Sequence, residues 1–183
     1  FDHDHDGHAL SAFVALLAES GLDYAHVYAP RPNSGVPSGQ DLDGNGRLGE
    51  ARDAQGYGRF TGQGGMAILS QLPLGEARNF SDFLWRDLPR NLAPMTDDGP
   101  FPSQAARDVQ RLSSVGHWAV PVMIGERQVE LLAWHGTIPV FDGPEDLNGR
   151  RGADEIRFWK MLLDGELPFA APARPVVVLG VAN

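Results

Sequence analysis

The sequence predicts a mixed α/β or α+β sandwich. Three observations carry this prediction: two stretches have the apolar spacing of amphipathic helices, several short apolar runs have the composition of strands, and glycine and proline separate them. The order is helix, strand, hairpin, helix, strand with mostly short links, which favours packed layers of helices and antiparallel strands. With 183 residues, the chain is long enough to bury one substantial core.

The first half of the chain is predicted to contain one helix and two strands. Residues His8–Ser20 place apolar side chains at helical spacing, and Gly21 follows where a helix commonly ends. Tyr24–Ala29 and Met66–Leu72 have the composition of strands. Between them, the residues up to about Thr61 form a glycine-rich loop without an apolar period, and a loop of that length is usually functional or disordered.

The second half is predicted to contain a β-hairpin. Its strands are Trp118–Ile124 and Val129–Trp134, joined by a tight turn at Gly125–Gln128, and Val176–Leu179 forms a further strand. Residues 73–116 have mixed signals, and only Gln104–Leu112 has a helical pattern. We find no internal repeat and no domain boundary, so residues 1–183 are predicted to form one domain.

The second amphipathic helix is predicted over Ala153–Leu163. Asp154 and Glu155 would lie in its first turn, where the helix dipole stabilises acidic side chains. Its apolar face would consist of Ile156, Trp159, Leu162 and Leu163.

The composition excludes several classes of protein. The chain has no cysteine, which excludes a disulfide framework and a thiolate metal site. The formal net charge of −9 makes nucleic acid a less favoured partner, although a divalent cation in an acidic site would reverse the charge locally. No apolar run approaches the roughly 20 residues of a membrane span, so we expect a soluble chain, with no signal peptide in residues 1–183.

An acidic, glycine-rich loop begins at Asp41. Asp41, Asp43 and Asn45 offer oxygen ligands at positions one, three and five of a calcium-binding loop, and a glycine follows at position six. Position twelve, where such a loop needs a bidentate glutamate, is Arg52, and Glu50 at position ten is the nearest substitute. An ordinary Asx-Gly turn loop that binds no ion is the alternative.

His135 is the candidate catalytic residue. It follows the second hairpin strand and begins a loop rich in glycine and acids, a position in which scaffolds often hold catalytic side chains. The last predicted strand is followed closely by Asn183, which could share a site with His135. A structural histidine is the alternative. Asn33 and Arg111 are further polar loop residues, for which an ordinary surface position is the alternative to binding a ligand.

The first eight residues, FDHDHDGH, contain three histidines and three aspartates. Side chains of these types could ligate a transition metal. The alternative is a frayed polar segment, because alternating residues of an extended chain point to opposite sides.

Four stretches of the chain resemble one protein family: RPNSGVPSGQDLDGNGR, GYGRFTGQGGMAILSQLPL, RLSSVGHWAVPV and LLAWHGTIPVFDGPEDLNGRRGADEIRFW. They are similar to the endonuclease/exonuclease/phosphatase superfamily, most of all to its bacterial, often exported branch with an aspartate-glycine loop. The resemblance implies a four-layer αββα sandwich of the deoxyribonuclease I type. It also implies hydrolysis of phosphodiesters or phosphomonoesters with Mg²⁺ or Mn²⁺, in a secreted or periplasmic protein.

The resemblance also implies roles for individual residues. His135 would face the scissile phosphate, Asn183 would hold phosphate or water, and Gln63 would contact phosphate or support the histidine. Arg111 and Asn33 would be further candidates for binding the substrate. DNA, lipid, inositol phosphate and simple phosphomonoesters stay open as substrates, because substrate choice in this superfamily lies in loops.

Three departures from the family pattern lead us to expect a partial and poorly active domain in residues 1–183. The motif Gly-Asp-x-Asn has Val181 in place of aspartate, and an aliphatic side chain can neither accept a proton nor bind a cation. The family's metal-binding glutamate would precede Phe1, and its aspartate-histidine pair would follow Asn183. A non-catalytic module stabilised by calcium is therefore the second predicted function.

Overall fold

The computed structural model describes residues 1–172 and 175–182. In chain order, its helices and strands are α1 (His8–Glu19), β1 (His26–Tyr28), β2 (Ile68–Ser70), β3 (Arg78–Asn79), β4 (Met95–Thr96), β5 (Gly99–Pro100), α2 (Gln104–Val109), β6 (His117–Ile124), β7 (Arg127–His135), α3 (Leu147–Leu163) and β8 (Val176–Val181). Single 3₁₀ turns lie at Ala51–Asp53 and Trp85–Asp87.

A four-stranded sheet in the order β3–β6–β7–β8 forms the centre of the fold. β6 pairs antiparallel with β3 and β7, whereas β8 runs parallel to β7. β6 and β7 form the predicted hairpin, but their pairing continues to Ile124 and Arg127, which shortens the turn to Gly125 and Glu126. Gly125 has a φ of 62°, the left-handed conformation that tight two-residue hairpin turns require.

Both faces of the central sheet are covered, as the alternation along its hairpin requires. Ala119 and Leu132 belong to the larger apolar core, which includes the buried side of α3. Trp118, Val120 and Ala133, which point the other way, form a smaller cluster with residues of β1 and β2. The described residues therefore form a helix layer, the central sheet and the antiparallel pair β1–β2.

The mixed α/β class is confirmed. The fourth layer of an αββα sandwich is not established by residues 1–172 and 175–182, because α1 has no buried residue. None of the helices in this part of the chain has the length and hydrophobicity that crossing a bilayer requires.

Helix α3 differs most from its prediction, because it begins at Leu147 rather than Ala153. Gly149 and Gly152 lower the helix propensity of the added turns. At Gly152, however, a Cβ atom would lie 2.9 Å from the backbone oxygen of Thr137. Glycine at this position lets the helix lie directly against the loop that follows β7.

The prediction of the buried face of α3 was partly wrong. Trp159 and Leu162 are buried as predicted, but Ile156 is 45% exposed. Asp154 and Glu155, predicted for the first turn, lie in the middle of the helix with no exposed surface. Charged side chains tolerate such burial only when they are paired or hydrogen-bonded, and both carboxylates have several donors.

The glycine-rich segment that follows β1 folds back on itself. Isolated bridges pair Ser34 with Gly56 and Pro37 with Ala54, and the 3₁₀ turn Ala51–Asp53 precedes the second bridge. This pairing closes residues 37–54 into a loop whose two ends lie side by side. The acidic stretch that begins at Asp41 is the body of this loop.

Candidate active site

A cleft of about 1060 Å³ opens where β7 ends. Segments from residues 34–64, 101–115 and 135–151 line it, so that three regions distant in sequence meet there. The lining includes His135, Gln63, Asp43 and Asn45. The structure thus places four of the predicted site residues around one cavity, whose size suits a small substrate.

His135 is the last residue of β7 and pairs in register with Val181 of β8. Its side chain is half-buried, and this burial lowers the pKa of the imidazole below its ordinary value of 6.5. His135 is therefore neutral at pH 7, with one nitrogen that donates a hydrogen bond and one that accepts.

The chain that follows His135 is anchored to α3 and to β8. Gly136 donates its backbone N–H to the backbone oxygen of Val181 at 2.8 Å. Thr137 donates its N–H to Glu155 Oε2 at 2.5 Å. Ser114 lies on the other side of this carboxylate and donates both its N–H and its hydroxyl to Glu155 Oε1, each at 2.8 Å.

Arg151 lies one helical turn before Glu155 and carries a positive charge in the same buried region. Its guanidinium donates to the backbone oxygens of Leu112, Arg111, Ser113 and Gln55, at distances between 2.5 and 3.2 Å. Burial lowers the pKa of Arg151, and the negative charge of Glu155 opposes this shift. Arg151 fixes the segment 111–113, which lies between the cleft-lining residues Gln110 and Ser114, and nothing in its sequence context suggested this role.

Three aspartates converge at the edge of the cleft. Asp41, Asp43 and Asp53 each place one carboxylate oxygen within 4.8 Å of the others. Asp53 was missed because it lies at position thirteen of the loop, one residue beyond the expected ligand. Its carboxylate also accepts the backbone N–H groups of Leu42 and Glu50, at 3.1 and 2.9 Å, which closes the loop.

The two remaining predicted ligands of this loop are arranged differently from their prediction. Asn45 directs its amide nitrogen, not its oxygen, toward Asp43 Oδ2 and Glu50 Oε2, at 3.1 and 2.8 Å. The Asn45 oxygen accepts the N–H of Arg47 at 2.8 Å. Rotation of the amide by 180° would bring its oxygen toward the carboxylates and thereby complete the predicted ligand set.

The pKa values of Asp41 and Asp43 are shifted in opposite directions. Burial raises the pKa of Asp41, but hydrogen bonds from the backbone N–H groups of Gly46 and Gly44 outweigh it, and the pKa is lowered overall. Burial and the neighbouring charges of Asp41 and Asp53 raise the pKa of Asp43. A cation bound between the aspartates would relieve the repulsion on Asp43.

Comparison with known families identifies the chain. A model described as "Endonuclease/Exonuclease/phosphatase family" matches residues 4–180. The chain belongs to this family. Comparisons with curated proteins and with solved structures gave no match. Members of the endonuclease/exonuclease/phosphatase family are largely hydrolases of phosphoester bonds and typically depend on a divalent metal ion.

The metal on which this family depends needs a set of oxygen ligands. Among the residues that the structure describes, only Asp41, Asp43 and Asp53 form a group of three or more side chains able to hold an ion. Carboxylate oxygens suit hard cations such as Mg²⁺ and Ca²⁺. The described surroundings of His135 contain no comparable group, so the residues present there do not fit a metal on their own.

The other substrate-binding candidates have separate environments. Gln63 lines the cleft, and its Oε1 accepts the N–H of Arg59 at 2.7 Å. Asn33 is 1% exposed, and its amide binds the backbone oxygens of Ser81 and Ser113, both at 2.7 Å. This side chain links segments of the interior.

Arg111 is held by two side chains, Asn33 Oδ1 at 2.6 Å and Asp82 Oδ1 at 2.7 Å. Neither Arg111 nor Asn33 is among the described residues that line the cleft. Their predicted contact with a substrate stays a prediction, and the structure gives both a role in joining loops.

The end of β8 carries the last predicted site residue. Val181 lies beside His135 in the sheet and is 49% exposed, so the position that would hold an aspartate in the family motif is accessible. Asn183 lies outside the described residues.

Among the histidines and aspartates of the first eight residues, Asp4 holds the start of α1. Asp4 accepts the backbone N–H groups of Ala9 and His8, at 2.6 and 2.9 Å, and these bonds lower its pKa, that from Ala9 the most. His3 Nε2 lies 2.9 Å from the backbone oxygen of Ala29. Within the described ranges these side chains form no convergent metal-binding group.

Proposed function

We propose that the cleft binds the phosphate of a phosphoester and that His135 acts on it, in a metal-dependent phosphoester hydrolase. The position of His135 carries this proposal, because it ends a central strand on the wall of a cleft shared with Gln63. Membership of a family composed largely of phosphoester hydrolases supports the reaction type. By the same membership, we infer that residues 1–183 form one domain of the four-layer αββα type.

His135 acts in this proposal as a neutral hydrogen-bond donor. Because burial lowers its pKa, little imidazolium is present at pH 7 to serve as a proton donor. A neutral imidazole N–H can instead stabilise charge on a phosphoryl oxygen in the transition state, where positioned donors contribute most. Gln63 would orient the same phosphate through its amide.

The proposed ions occupy different places. Family membership supports a requirement for a divalent ion such as Mg²⁺ or Mn²⁺, but the described residues around His135 offer no ligand set for it, so we assign no step to this ion. For Asp41, Asp43 and Asp53 we propose Ca²⁺, whose flexible coordination of six to eight oxygens tolerates an irregular loop.

The rim of the cleft favours a compact substrate with an apolar or aromatic group. Ile138, Val140 and Phe141 line the cleft and are 51%, 44% and 80% exposed. Phe141 has a φ of 65°, a conformation that a bulky side chain rarely adopts and that clusters at ligand sites. Together with the net charge of −9, this rim disfavours long nucleic acid as the substrate.

Hydrolysis of bis-p-nitrophenyl phosphate and p-nitrophenyl phosphate, with and without Mg²⁺ or Mn²⁺, tests the proposal. We expect slow, metal-dependent release of nitrophenol that is lost in His135→Gln. His26→Gln, a substitution of the same kind in β1, serves as the control and should keep the activity. Equal rates in wild type and His135→Gln would refute the role of His135.

Val181 explains why a low rate is expected. Residues that act as a unit in catalysis give non-additive effects, so Val181→Asp alone should recover almost nothing in residues 1–183. Efficient turnover by unaltered residues 1–183 would contradict this expectation.

The second candidate function is a non-catalytic module stabilised by calcium. The convergence of Asp41, Asp43 and Asp53 favours it, as does the aliphatic Val181 beside His135. This function predicts stabilisation by Ca²⁺ without any hydrolysis and without a response of His135 to inorganic phosphate.

A further inference from the structure

Two adjacent carboxylates in the middle of α3 are completely buried. Asp154 and Glu155 both have 0% exposed surface. Burying a charge costs several kcal/mol unless hydrogen bonds compensate, and replacing buried ions by apolar residues often stabilises a protein. The presence of two carboxylates at such positions therefore calls for an explanation. Their hydrogen-bond partners give a different explanation for each.

Glu155 contacts two segments beside the candidate catalytic histidine: the loop that follows it and the segment that contains Ser114. Its Oε2 accepts the N–H of Thr137, two residues after His135, and its Oε1 accepts the N–H and hydroxyl of Ser114. The Ser114 hydroxyl oxygen also lies 3.4 Å from the backbone oxygen of His135. Glu155 thus joins the loop after β7 to Ser114, which also lines the cleft.

Asp154 faces a different part of the molecule. Its Oδ2 accepts the indole N–H of Trp85 at 2.7 Å and the backbone N–H of Leu92 at 2.6 Å. Its Oδ1 forms an ion pair with Arg157. None of these three partners is among the described residues that line the cleft, so Asp154 is a buried carboxylate of equal burial but without a link to His135.

Only a carboxylate satisfies all three donors that surround Glu155. Both of its oxygens accept, whereas a glutamine in the same place has one accepting oxygen and one donating nitrogen. If the glutamine oxygen stayed at Ser114, its NH₂ group would face the N–H of Thr137, and two donors cannot bond each other. Glutamine at 155 therefore releases one anchor of the loop that holds His135.

We propose that Glu155 is the positioning residue of His135: by binding Ser114 and Thr137 together, it fixes the strand end from which His135 meets the substrate. This inference rests on the proposed function, since it assigns His135 to the phosphate. Glu155 itself does not reach the substrate in this account and acts only through the two anchored segments.

The test compares Glu155→Gln with Asp154→Asn, the same carboxylate-to-amide change at the neighbouring buried position. The ring resonances of His135, in protein with ¹⁵N-labelled histidine, report its response to inorganic phosphate at a temperature where all variants are folded. We expect phosphate to shift the wild-type and Asp154→Asn resonances alike, and to bind Glu155→Gln at least about 10-fold more weakly. In nitrophenyl phosphate hydrolysis, kcat should fall by roughly 10²-fold in Glu155→Gln alone.

Each outcome separates the two proposals. If phosphate leaves the His135 resonance of the wild type unchanged and no hydrolysis occurs, the proposed function fails and the positioning role fails with it. If the wild type responds and Glu155→Gln responds equally, only the positioning role is overturned. Equal losses in Glu155→Gln and Asp154→Asn would also overturn it, because they would show a general effect of buried-charge removal.

Ser114→Ala keeps the inference testable if Glu155→Gln does not fold. This substitution deletes the hydroxyl between Glu155 and the His135 backbone and leaves both backbone anchors in place. We expect a smaller loss of phosphate affinity in the same direction. An unchanged affinity in Ser114→Ala, with Glu155→Gln unfolded, would count against the positioning role.

Discussion

The acidic loop of residues 41–53 and helix α3 both concentrate carboxylates, but they satisfy them in different ways. In the loop, Asp41 accepts hydrogen bonds from backbone N–H groups only three to five residues further along the chain. In α3, Glu155 accepts from Thr137 and Ser114, which are 18 and 41 residues away in sequence. The loop carboxylates of Asp41 and Asp43 are partly exposed, whereas that of Glu155 is fully buried.

This difference shows what each group of charges can do. A loop whose acids are satisfied locally needs no distant segment for these hydrogen bonds, and its partly exposed oxygens can exchange one partner for a cation. The buried acids of α3 have their partners only when distant segments have assembled around them. They therefore contribute to the position of those segments and offer nothing to an ion from solvent.

The largest effect on stability should come from removing the buried positive charge of Arg151 in α3. Arg151→Met leaves four backbone oxygens without their donor and the charge of Glu155 uncompensated, which should lower the free energy of unfolding by about 3–5 kcal/mol. Arg52→Met, in the acidic loop, removes a side chain that is 55% exposed and lies 3.8 Å from Asp43. Its effect should stay within about 0.5 kcal/mol.

Urea unfolding of the two methionine variants measures this contrast. Similar decreases in the free energy of unfolding in both variants would mean that charged side chains stabilise the interior around α3 no more than they stabilise the surface loop.

A smaller effect should come from adding a cation to the loop. Ca²⁺ at one hundred times its dissociation constant should stabilise the wild type by about 2.7 kcal/mol, because an ion that binds only the folded state shifts the unfolding equilibrium. Asp53→Asn should abolish this increment, while Glu145→Gln, a change at a cleft acid outside the cluster, should keep it. Thermal melts with Ca²⁺, Mg²⁺ and Mn²⁺ identify the ion.

Because Asp53 also holds the N–H groups of Leu42 and Glu50, each variant must be compared with its own metal-free melting temperature. A melting temperature that does not change at millimolar concentrations of all three ions would leave the loop as an ordinary Asx-Gly turn.

The smallest effect should be the pH dependence of stability, which differs between the two regions. His117, packed under α3, is 1% exposed, and burial lowers its pKa from 6.5, with the charge of Glu155 opposing. The unfolded chain therefore takes up a proton on this residue before the folded chain does. The stability contributed by neutral His117 is complete above pH 6.5 and is lost as the pH falls toward the folded pKa, by at most roughly 1.4 kcal/mol per pH unit.

Melting temperatures between pH 7.5 and 5 should therefore fall less steeply in His117→Gln than in the wild type. Some slope should persist, because burial also lowers the pKa of His135. The acidic loop affects stability in a lower pH range. The lowered pKa of Asp41 gives stability that is present above pH 3.8 and lost below it. An identical slope in wild type and His117→Gln would show that His117 does not titrate on unfolding.

The sequence predicted the parts of this molecule that depend on local pattern. Period-two apolar runs located the hairpin, and a glycine marked its turn. The position of His135 at a strand end also followed from its place after such a run. Asp41 and Asp43 were found because a calcium-binding loop has a fixed spacing, and Asp53 was missed because it breaks that spacing by one residue.

The rest depended on tertiary contacts that no spacing records. Gly152 disfavours a helix when only its neighbours in sequence are considered, yet it permits the close approach of α3 to Thr137. An amphipathic pattern places Ile156 in the interior and Glu155 at the surface. The structure shows the reverse, because hydrogen-bond donors from two loops surround the Glu155 carboxylate. Arg151 had no signal at all, since its partners are backbone oxygens, which every residue possesses.

The carboxylate of Glu155 also sets how the protein should exchange its amide hydrogens with solvent. The N–H groups of Ser114 and Thr137 belong to separate loops, and each would open alone if it were bonded within its own loop. Because both are bonded to one buried side chain, neither can reach water without disturbing the same helix. Their exchange rates should therefore be slow and nearly equal, as in a single cooperative unit, although the whole β6–β7 hairpin separates residues 114 and 137 in sequence.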